Sequence, residues 1–154
     1  MTDELKVPKR RAQVEVLLPG GAVRQVMVFL GESAHDHAGA ERLSDLLNGH
    51  VDFVPALDTA SNQMTFLGRQ SIAAARIARE LEGGDEHTIA TEHEVEVTLV
   101  DGTVLRGLVT FVLPPERSRL LDYLNDAQPF VRLLETDKVA LINKRHIARV
   151  AEVD

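Results

Sequence analysis

Residues 95–102, VEVTLVDG, decide the fold, because residues 14–21, VEVLLPGG, carry the same pattern. In both stretches, apolar residues alternate with more polar neighbours, which is the period-two signal of a half-buried strand. Each stretch ends in a turn sequence, Asp101-Gly102 or Pro19-Gly20-Gly21, and a second apolar run follows it. Each stretch therefore predicts the start of a β-hairpin.

Five sequence blocks recur in the same order, which indicates that the chain contains an internal duplication. Chance similarity between amphipathic segments would not preserve that order. We predict a flexible arm at 1–13, a first repeat at 14–81, a connector at 82–93 and a second repeat at 94–154. The matched blocks are 14–21 with 95–102, 23–30 with 104–113, 42–48 with 119–125, 53–57 with 130–134, and 65–72 with 140–147.

The repeat also decides how the segment 71–84, SIAAARIARELEGG, is interpreted. On propensity alone it is an Ala-rich helix that ends at Gly83. Its counterpart in the second repeat, 148–153, is predicted to be a strand. Because tertiary context commonly overrides propensity, we follow the repeat and predict a strand at 74–79.

The predicted fold is mainly β with short helices, as two tandem SH3-like or Sm-like small barrels packed in a pseudo-two-fold arrangement. Leucines at helical spacing predict short helices at 42–48 and 119–125. Small barrels leave edge strands that pair with neighbours, so we expect the two copies to share a sheet and the chain to form a homo-oligomer. Four phenylalanines in strand patterns are expected in the core: Phe53, Phe66, Phe111 and Phe130.

Two segments of the second repeat, 95–107 (VEVTLVDGTVLRG) and 141–150 (LINKRHIARV), resemble the Sm-like (Hfq-like) small β-barrels. The tandem layout with an inserted helix is similar to that of bacterial proteins of the same broad shape. The resemblance implies a bent first hairpin with a glycine at the bend, here Gly107, and a basic turn before the last strand. The first copy has Val26 at the place of Gly107, and Arg145 separates Lys144 from His146. The resemblance also implies RNA binding.

Composition excludes several classes of protein. The 154 residues include no Cys, which excludes disulfides, thiolate metal sites and Cys nucleophiles. The 17 basic and 24 acidic residues give a net charge of -7, which argues against broad nucleic-acid binding but permits a local basic patch. No apolar run is long enough for a membrane span, and the N-terminus lacks the apolar core of a signal peptide, so we expect a cytoplasmic protein that does not bind membranes.

Basic residues form two candidate RNA-binding clusters, since Lys and Arg can clamp phosphates. Aromatic residues make up only 4% of the chain. Because single-strand binding normally adds aromatic stacking, this low content favours the alternative of a solvated basic turn with salt bridges. The cluster residues are Lys144, Arg145, His146 and Arg149 in the second repeat and Lys9, Arg10 and Arg11 in the arm.

A His-Asp-His sequence in the first repeat is a candidate metal site. His35, Asp36 and His37 could bind zinc or another divalent ion, although a solvated loop is the commoner explanation of such a sequence. No third protein ligand is fixed by spacing.

No motif predicts catalysis, because the chain lacks a glycine-rich phosphate loop and a Gly-x-Ser-x-Gly elbow. We therefore expect no enzyme and no cofactor. The leading hypothesis is a non-enzymatic binding or scaffold module that acts through sheet edges and helix leucines, with Sm-like RNA binding and metal binding as alternatives. These leucines either cover the barrel openings or contact a partner: Leu43, Leu46, Leu47, Leu120, Leu121 and Leu124.

Overall fold

The computed structural model of the chain describes residues 9–32, 34, 39–83, 91–112 and 119–153. The prediction of mainly β structure with short helices is confirmed. The helices are α1 (Leu43–Leu47), α2 (Arg79–Glu82) and α3 (Leu120–Leu124). The strands are β1 (Lys9–Leu17), β2 (Val23–Gly31), β3 (Phe53–Asp58), β4 (Gln63–Gly68), β5 (Ala74–Ala78), β6 (Thr91–Leu99), β7 (Val104–Phe111), β8 (Phe130–Leu134), β9 (Lys138–Asn143) and β10 (Ile147–Glu152).

The ten strands of the described residues form one antiparallel sheet in the order β10-β6-β7-β8-β9-β5-β1-β2-β3-β4. Strands β1–β5 form what we call the N-terminal half and strands β6–β10 the C-terminal half. The halves meet where β5 pairs with β9, and this pairing is called the inner joint below. The outermost strands of the sheet are therefore β4 of one half and β10 of the other.

The strand registers of the two halves follow the sequence correspondence. Phe53 lies opposite Gly68 in one half, and Phe130 lies opposite Asn143 in the other. On the other side of each half, Val16 lies opposite Ala75, and Val97 lies opposite Val150. Positions matched by sequence can therefore be compared as structural equivalents.

The segment 71–84 contains the strand that the repeat predicts. Strand β5 runs from Ala74 to Ala78, and helix is limited to the four residues of α2. Ala75 and Ile77 are buried, and β5 pairs with β1 on one side and β9 on the other. Backbone pairing on both sides outweighs the helix propensity of the alanines.

The boundaries differ from the predicted ones at both ends of the first repeat. Strand β1 begins at Lys9 and pairs with β2 along its whole length, so residues 9–13 belong to the sheet rather than to a flexible arm. Glu82, which we assigned to the connector, ends α2 and is buried. Residues 1–8 of the predicted arm and 84–90 of the predicted connector lie outside the described residues.

Two apolar clusters make up the core, and each of them contains residues from both halves. The first cluster is built around Val14, Val26, Leu43 and other residues of the N-terminal half. It also contains four side chains of β8 and β9. Complete burial of a Val, Leu or Phe side chain stabilises the fold by roughly 1.5–3 kcal/mol. The four contributed residues are Phe130, Leu134, Val139 and Leu141.

Gly107 allows the backbones of β7 and β8 to approach closely. A Cβ atom at this position would clash with the carbonyl oxygen of Leu134 and would lie 3.0 Å from the Cγ of Leu133. The position therefore requires a residue without a side chain. In the N-terminal half, Val26 occupies the equivalent position and is buried.

Candidate functional site

The outer hairpin of the sheet, β3 and β4, presents apolar side chains to solvent. We call Phe53, Leu57, Met64 and Phe66 the β3–β4 face. Leu57 lies opposite Met64 and Phe53 opposite Gly68, so these alternate residues share one side of the hairpin. Phe66 is 68% exposed, Phe53 63% and Met64 50%. The expectation that Phe53 and Phe66 lie in the core is therefore wrong, whereas Phe111 and Phe130 are buried as expected.

The equivalent face of the C-terminal half is buried. We call Phe130, Leu134, Val139 and Leu141 the β8–β9 face, and these residues match Phe53, Leu57, Met64 and Phe66 in register. All four are buried in the core cluster of the N-terminal half. The same kind of surface is therefore covered in one half and uncovered in the other.

Side chains of the N-terminal half cover the β8–β9 face at the inner joint. Ala75 lies opposite Leu141, and Ile77 lies opposite Val139. The side chain of Asn48, at the end of α1, accepts a 2.9 Å hydrogen bond from the backbone N–H of Phe130. The joint thus combines strand pairing, apolar burial and a side-chain bond to the strand end.

Polar side chains also fix the inner joint. The amide of Asn143 donates a 3.1 Å hydrogen bond to the carbonyl of Ile72. Arg76 on β5 forms ion pairs with Glu135 at 2.9 Å and with Glu15 at 3.0 Å. Burial alone lowers the pKa of Arg76, but its bonds to the two carboxylates outweigh burial and raise it. The Glu135 contact is bidentate, which gives it directional specificity.

A shallow apolar groove lies at the opposite end of the sheet, between α3 and β10. It has a volume of about 320 Å³. Leu124, Ile147 and Val150 are only partly buried, whereas their equivalents Leu47, Ile72 and Ala75 are buried. We call this the receiving groove. Its lining residues are Leu124, Asn125, Val131, Lys144, Ile147 and Val150.

The basic turn at Lys144–His146 lies at the junction of the two halves. Lys144 Nζ donates to the carbonyl of Asp126 at 2.5 Å, and burial lowers the pKa of Lys144 more than Asp126 raises it. His146 Nε2 lies 2.8 Å from the carbonyl oxygen of Gln70, which it bonds when that nitrogen carries the proton. Two side chains of the predicted RNA cluster therefore have structural partners.

A cleft of about 550 Å³ lies beside this turn. It contains basic groups from both halves, but Arg69 is buried and donates to the carbonyls of Leu47 and Val51. Tight internal bonding of this kind indicates a structural network. The lining residues include His50, Arg69, Gln70, Asp126, Lys144 and Arg145.

The second basic cluster lies far from the first. The turn follows Asn143, which bonds to Ala73 beside the Leu17 end of β1, whereas Lys9, Arg10 and Arg11 begin that strand. The eight residues of strand between Lys9 and Leu17 have an extended length of about 26 Å. Arg10 donates to the carbonyl of Glu41 at 3.0 Å, and Arg11 lies 5.9 Å from the centre of the Phe29 ring.

The last member of the turn cluster, Arg149, lies on β10. Its guanidinium is 3.8 Å from the Glu96 carboxylate. The structure therefore does not bring the predicted RNA-binding residues together on one surface.

The helix leucines are mostly part of the core. Leu43, Leu47 and Leu120 are buried, and Leu46 and Leu124 pack partly buried against the clusters. Leu121 is 57% exposed and is the member that reaches solvent. The placement favours the first of the two interpretations, in which the leucines cover the core openings.

An Asp recurs at the same position of the two helices, as Asp45 in α1 and Asp122 in α3, and has the same structural role in both. Asp45 accepts from the backbone N–H of Arg42 at 2.8 Å, and Asp122 does the same for Arg119 at 3.3 Å. Each carboxylate thus satisfies a free donor at a helix start.

The candidate metal residues His35, Asp36 and His37 lie outside the described residues, and the metal hypothesis stays a prediction. In the part of the chain that the structure describes, no group of three or more His, Asp and Glu could hold a metal ion. None of the helices described is long and apolar enough to cross a bilayer.

One sequence difference between the two hairpins could have been taken as a sign of the exposed face. Pro55 lies within β3, where Arg132 occupies the equivalent place in β8. A proline within a strand indicates reduced backbone pairing, which is typical of the margin of a sheet. Backbone pairing does not bear this out, because β2 pairs with β3 at Ala56, Leu57 and Asp58, whereas β7 pairs with β8 only at Leu134.

Comparison of the chain with protein-family models, with curated proteins and with solved structures found no match.

Proposed function

We propose that this chain is a non-enzymatic scaffold module that associates with protein through the open edge of its sheet. The observation that carries the proposal is the exposure of Phe53, Met64 and Phe66 together at the outermost hairpin. Exposed apolar patches on a folded chain mark interaction sites, and an outer strand offers unpaired backbone donors and acceptors to another strand.

The energetics favour occupation of this surface. Complete burial of one Phe side chain contributes roughly 1.5–3 kcal/mol, and two phenylalanines and a methionine lie together here. Leu121, 57% exposed on α3, is a smaller apolar contact at the other end of the sheet. At the β3–β4 hairpin, strand pairing and burial of apolar side chains would both stabilise the contact with a partner.

The polar groups of the inner clefts support a non-enzymatic role. Lys144 bonds to the Asp126 carbonyl, and the Tyr123 hydroxyl accepts from the backbone N–H of Arg132. Burial raises the pKa of Tyr123, although the Arg132 N–H bond opposes the rise. These groups are engaged in holding strands and turns in place.

The test is the mass of the purified chain in solution, measured by light scattering across a concentration series. We expect a mass above that of one chain at high concentration and a lower mass for Phe66→Ser. Val112→Ser is the matched control, because Val112 is 61% exposed directly after β7, an inner strand away from both edges of the sheet. A chain that stays monomeric at every concentration would contradict the proposal.

RNA binding is a second candidate, favoured by the position of Lys144 and Arg145 beside a cleft that also contains His50. Phosphate binding there would be weakened by salt, since counterion release drives it. The test is a mobility shift with a single-stranded RNA at two salt concentrations. Loss of the shift in a Lys144→Ala/Arg145→Ala variant would support this candidate, and no shift with the parent chain would reject it.

A further inference from the structure

We infer that the β3–β4 face is occupied by the receiving groove and β10 of a second copy of this chain, in the arrangement that β9 and β5 adopt at the inner joint. The inference rests on the proposed scaffold function and names its partner. The chain itself supplies the template, because it already contains one such joint between its own halves.

The free edges of the sheet are complementary to each other. Strand β4 is the equivalent of β9, and β10 is the equivalent of β5. The inner joint uses one strand of each kind, and one strand of each kind is left at the ends of the sheet. A second copy can therefore pair its β10 with β4 of the first, which is a head-to-tail contact.

The register of this contact follows from the inner joint. Ala75 lies opposite Leu141, Arg76 opposite Ala140, and Ile77 opposite Val139. Transferring these pairs to the equivalent residues gives the outer register. In it, Val150 of one copy lies opposite Phe66 of the other, Ala151 opposite Thr65, and Glu152 opposite Met64.

The receiving groove has the chemistry that the β3–β4 face needs. Leu124, Ile147 and Val150 are the partly buried equivalents of residues that cover the β8–β9 face. Phe66 would lie over this groove, as Leu141 lies against the N-terminal core. Both surfaces are apolar and incompletely buried in the single chain.

Asn125, at the end of the groove, offers a hydrogen-bond acceptor like the one that Asn48 provides at the inner joint. Its equivalent Asn48 accepts a hydrogen bond from the backbone N–H of Phe130 across the inner joint. Asn125 ends α3 as Asn48 ends α1, with nearly the same backbone conformation. In the head-to-tail contact, Asn125 is positioned to accept from the backbone N–H of Phe53 in the next copy.

The outer contact lacks some features of the inner joint, so it should be weaker. Gly68 replaces Asn143, whose amide bonds to Ile72, and Ala151 replaces Arg76. Glu152 replaces the buried Ile77. These differences predict an association that depends on concentration.

A symmetric pairing of two β4 strands is a less favourable use of the same surface. It would bring two β3–β4 faces together and would leave the receiving groove and β10 of both copies uncovered. The head-to-tail contact covers both surfaces with one type of interface.

Disulfide cross-linking tests the register directly, because the chain contains no cysteine. One chain carries Thr65→Cys and a second carries Ala151→Cys, and the two are mixed under mild oxidation. Opposed residues of antiparallel strands have Cα atoms about 4.5–5.5 Å apart, which suits a disulfide. We expect the mixed disulfide to form in severalfold excess over any homodisulfide.

Matched pairs control for reactivity and folding. The Ala78→Cys/Lys138→Cys double variant, at another opposed pair of the inner joint, keeps the Arg76 ion pairs. It should close an intrachain disulfide, which shows that the oxidation conditions work. Gln25→Cys, on an exposed position of β2 away from both edges, should not link to Ala151→Cys. Circular dichroism of each variant confirms that it folds.

The outcomes separate this inference from the proposed function. A Thr65 homodisulfide in excess, or a raised mass without the mixed disulfide, would overturn the head-to-tail contact while leaving a self-associating scaffold. A chain that stays monomeric in light scattering and forms no mixed disulfide would overturn both. The mixed disulfide in excess, lost on adding Val150→Arg to the Ala151→Cys chain, supports the inference.

Discussion

The β8–β9 face and the β3–β4 face have similar apolar sequences at equivalent positions, but the first is buried and the second is exposed. Phe130 and Phe53 are the same residue type at equivalent positions, yet Phe130 is buried and Phe53 is exposed. The difference is the neighbour, since β9 has β5 beside it and β4 is the last strand of the sheet. Local sequence therefore determines on which side of the sheet a residue lies, whereas a strand distant in sequence determines whether that side is buried.

The comparison extends to the surfaces that cover such a face. Ile72 and Ala75 are buried because the β8–β9 face lies on them, and Ile147 and Val150 remain partly exposed. Covered and uncovered surfaces thus occur as matched pairs within one chain. Each pair offers a variant and its internal control.

The largest contrast is expected between truncations of the two faces. Leu141→Ala should reduce the free energy of unfolding by about 2–5 kcal/mol, because it leaves a cavity in the core. Phe66→Ala should change the same quantity by less than about 0.5 kcal/mol in dilute protein, since the side chain is exposed. Urea unfolding measures both. Equal losses would show that the β3–β4 face is covered within the single chain.

The two helix-terminal asparagines should give a smaller contrast. Asn48→Ala leaves the buried strand end at Phe130 without its acceptor and should cost about 1–3 kcal/mol of unfolding free energy. Asn125→Ala should cost less than about 0.5 kcal/mol, because its proposed partner is in another copy. It should instead lower the mass measured at high concentration. A loss of folding stability in Asn125→Ala equal to that in Asn48→Ala would contradict the assignment.

Sequence alone could predict the elements but not the uncovered face. The alternation at 14–21 and 95–102 predicts the hairpins, and the repeat places β5 where propensity favours helix. Phe53 and Phe130 cannot be distinguished locally, because the strand that covers Phe130 comes from the other half of the chain. Pro55 does not separate them either, because β3 forms three pairs with β2 and β8, which lacks the proline, forms one with β7.

The predicted RNA cluster shows a second limit of sequence. Lys144 and His146 have the residue types for phosphate binding, but backbone carbonyls of Asp126 and Gln70 lie within bonding distance of them. Every residue has a backbone carbonyl, so residue type does not show which carbonyl lies beside a given basic side chain. Only the fold determines that. A sequence pattern cannot show that a basic side chain is already engaged.

A buried carboxylate beside the inner joint predicts a pH effect. Glu82 is buried, its Oε2 accepts from the Ser44 N–H at 3.3 Å, and its Oε1 has no hydrogen-bond partner within the described residues. Burial raises the pKa of Glu82 above its ordinary value of 4.5, although the Ser44 bond and Arg132 oppose the rise. The native state therefore holds its proton at a pH at which the unfolded state has released it.

Stability contributed by Glu82 should be present below about pH 4.5 and should fall as the pH rises through the raised pKa. Glu82→Gln keeps an acceptor for Ser44 and removes the titration, so it should flatten this part of the profile of unfolding free energy against pH. Glu80→Gln, on the exposed side of α2, is the control and should keep the slope. An unchanged slope in Glu82→Gln would mean that another group is responsible.

The smallest expected effect is a gain of affinity at the outer contact. Arg76 bridges Glu15 of its own half and Glu135 of the other half, and Ala151, Glu96 and Asp58 are the equivalent residues. Ala151→Arg would place a guanidinium between Glu96 of its own chain and Asp58 of the next copy. Both carboxylates already have cationic partners, Glu96 with Arg106 and Asp58 with Arg24. The added pair should therefore contribute no more than about 1 kcal/mol, and the Kd of association should fall by at most about fivefold.

Ala151→Lys is the matched variant, because it adds the same charge without the planar fork that makes the Glu135 contact bidentate. Light scattering at low salt should rank association in the order Ala151→Arg, Ala151→Lys, parent chain, and added salt should reduce the differences. If Ala151→Arg associates no better than the parent chain, its guanidinium adds no net attraction at Asp58, and the outer contact does not reproduce the charge positions of the inner joint. If the order holds, the outer contact reproduces both the apolar packing and the charge positions of the joint between the two halves.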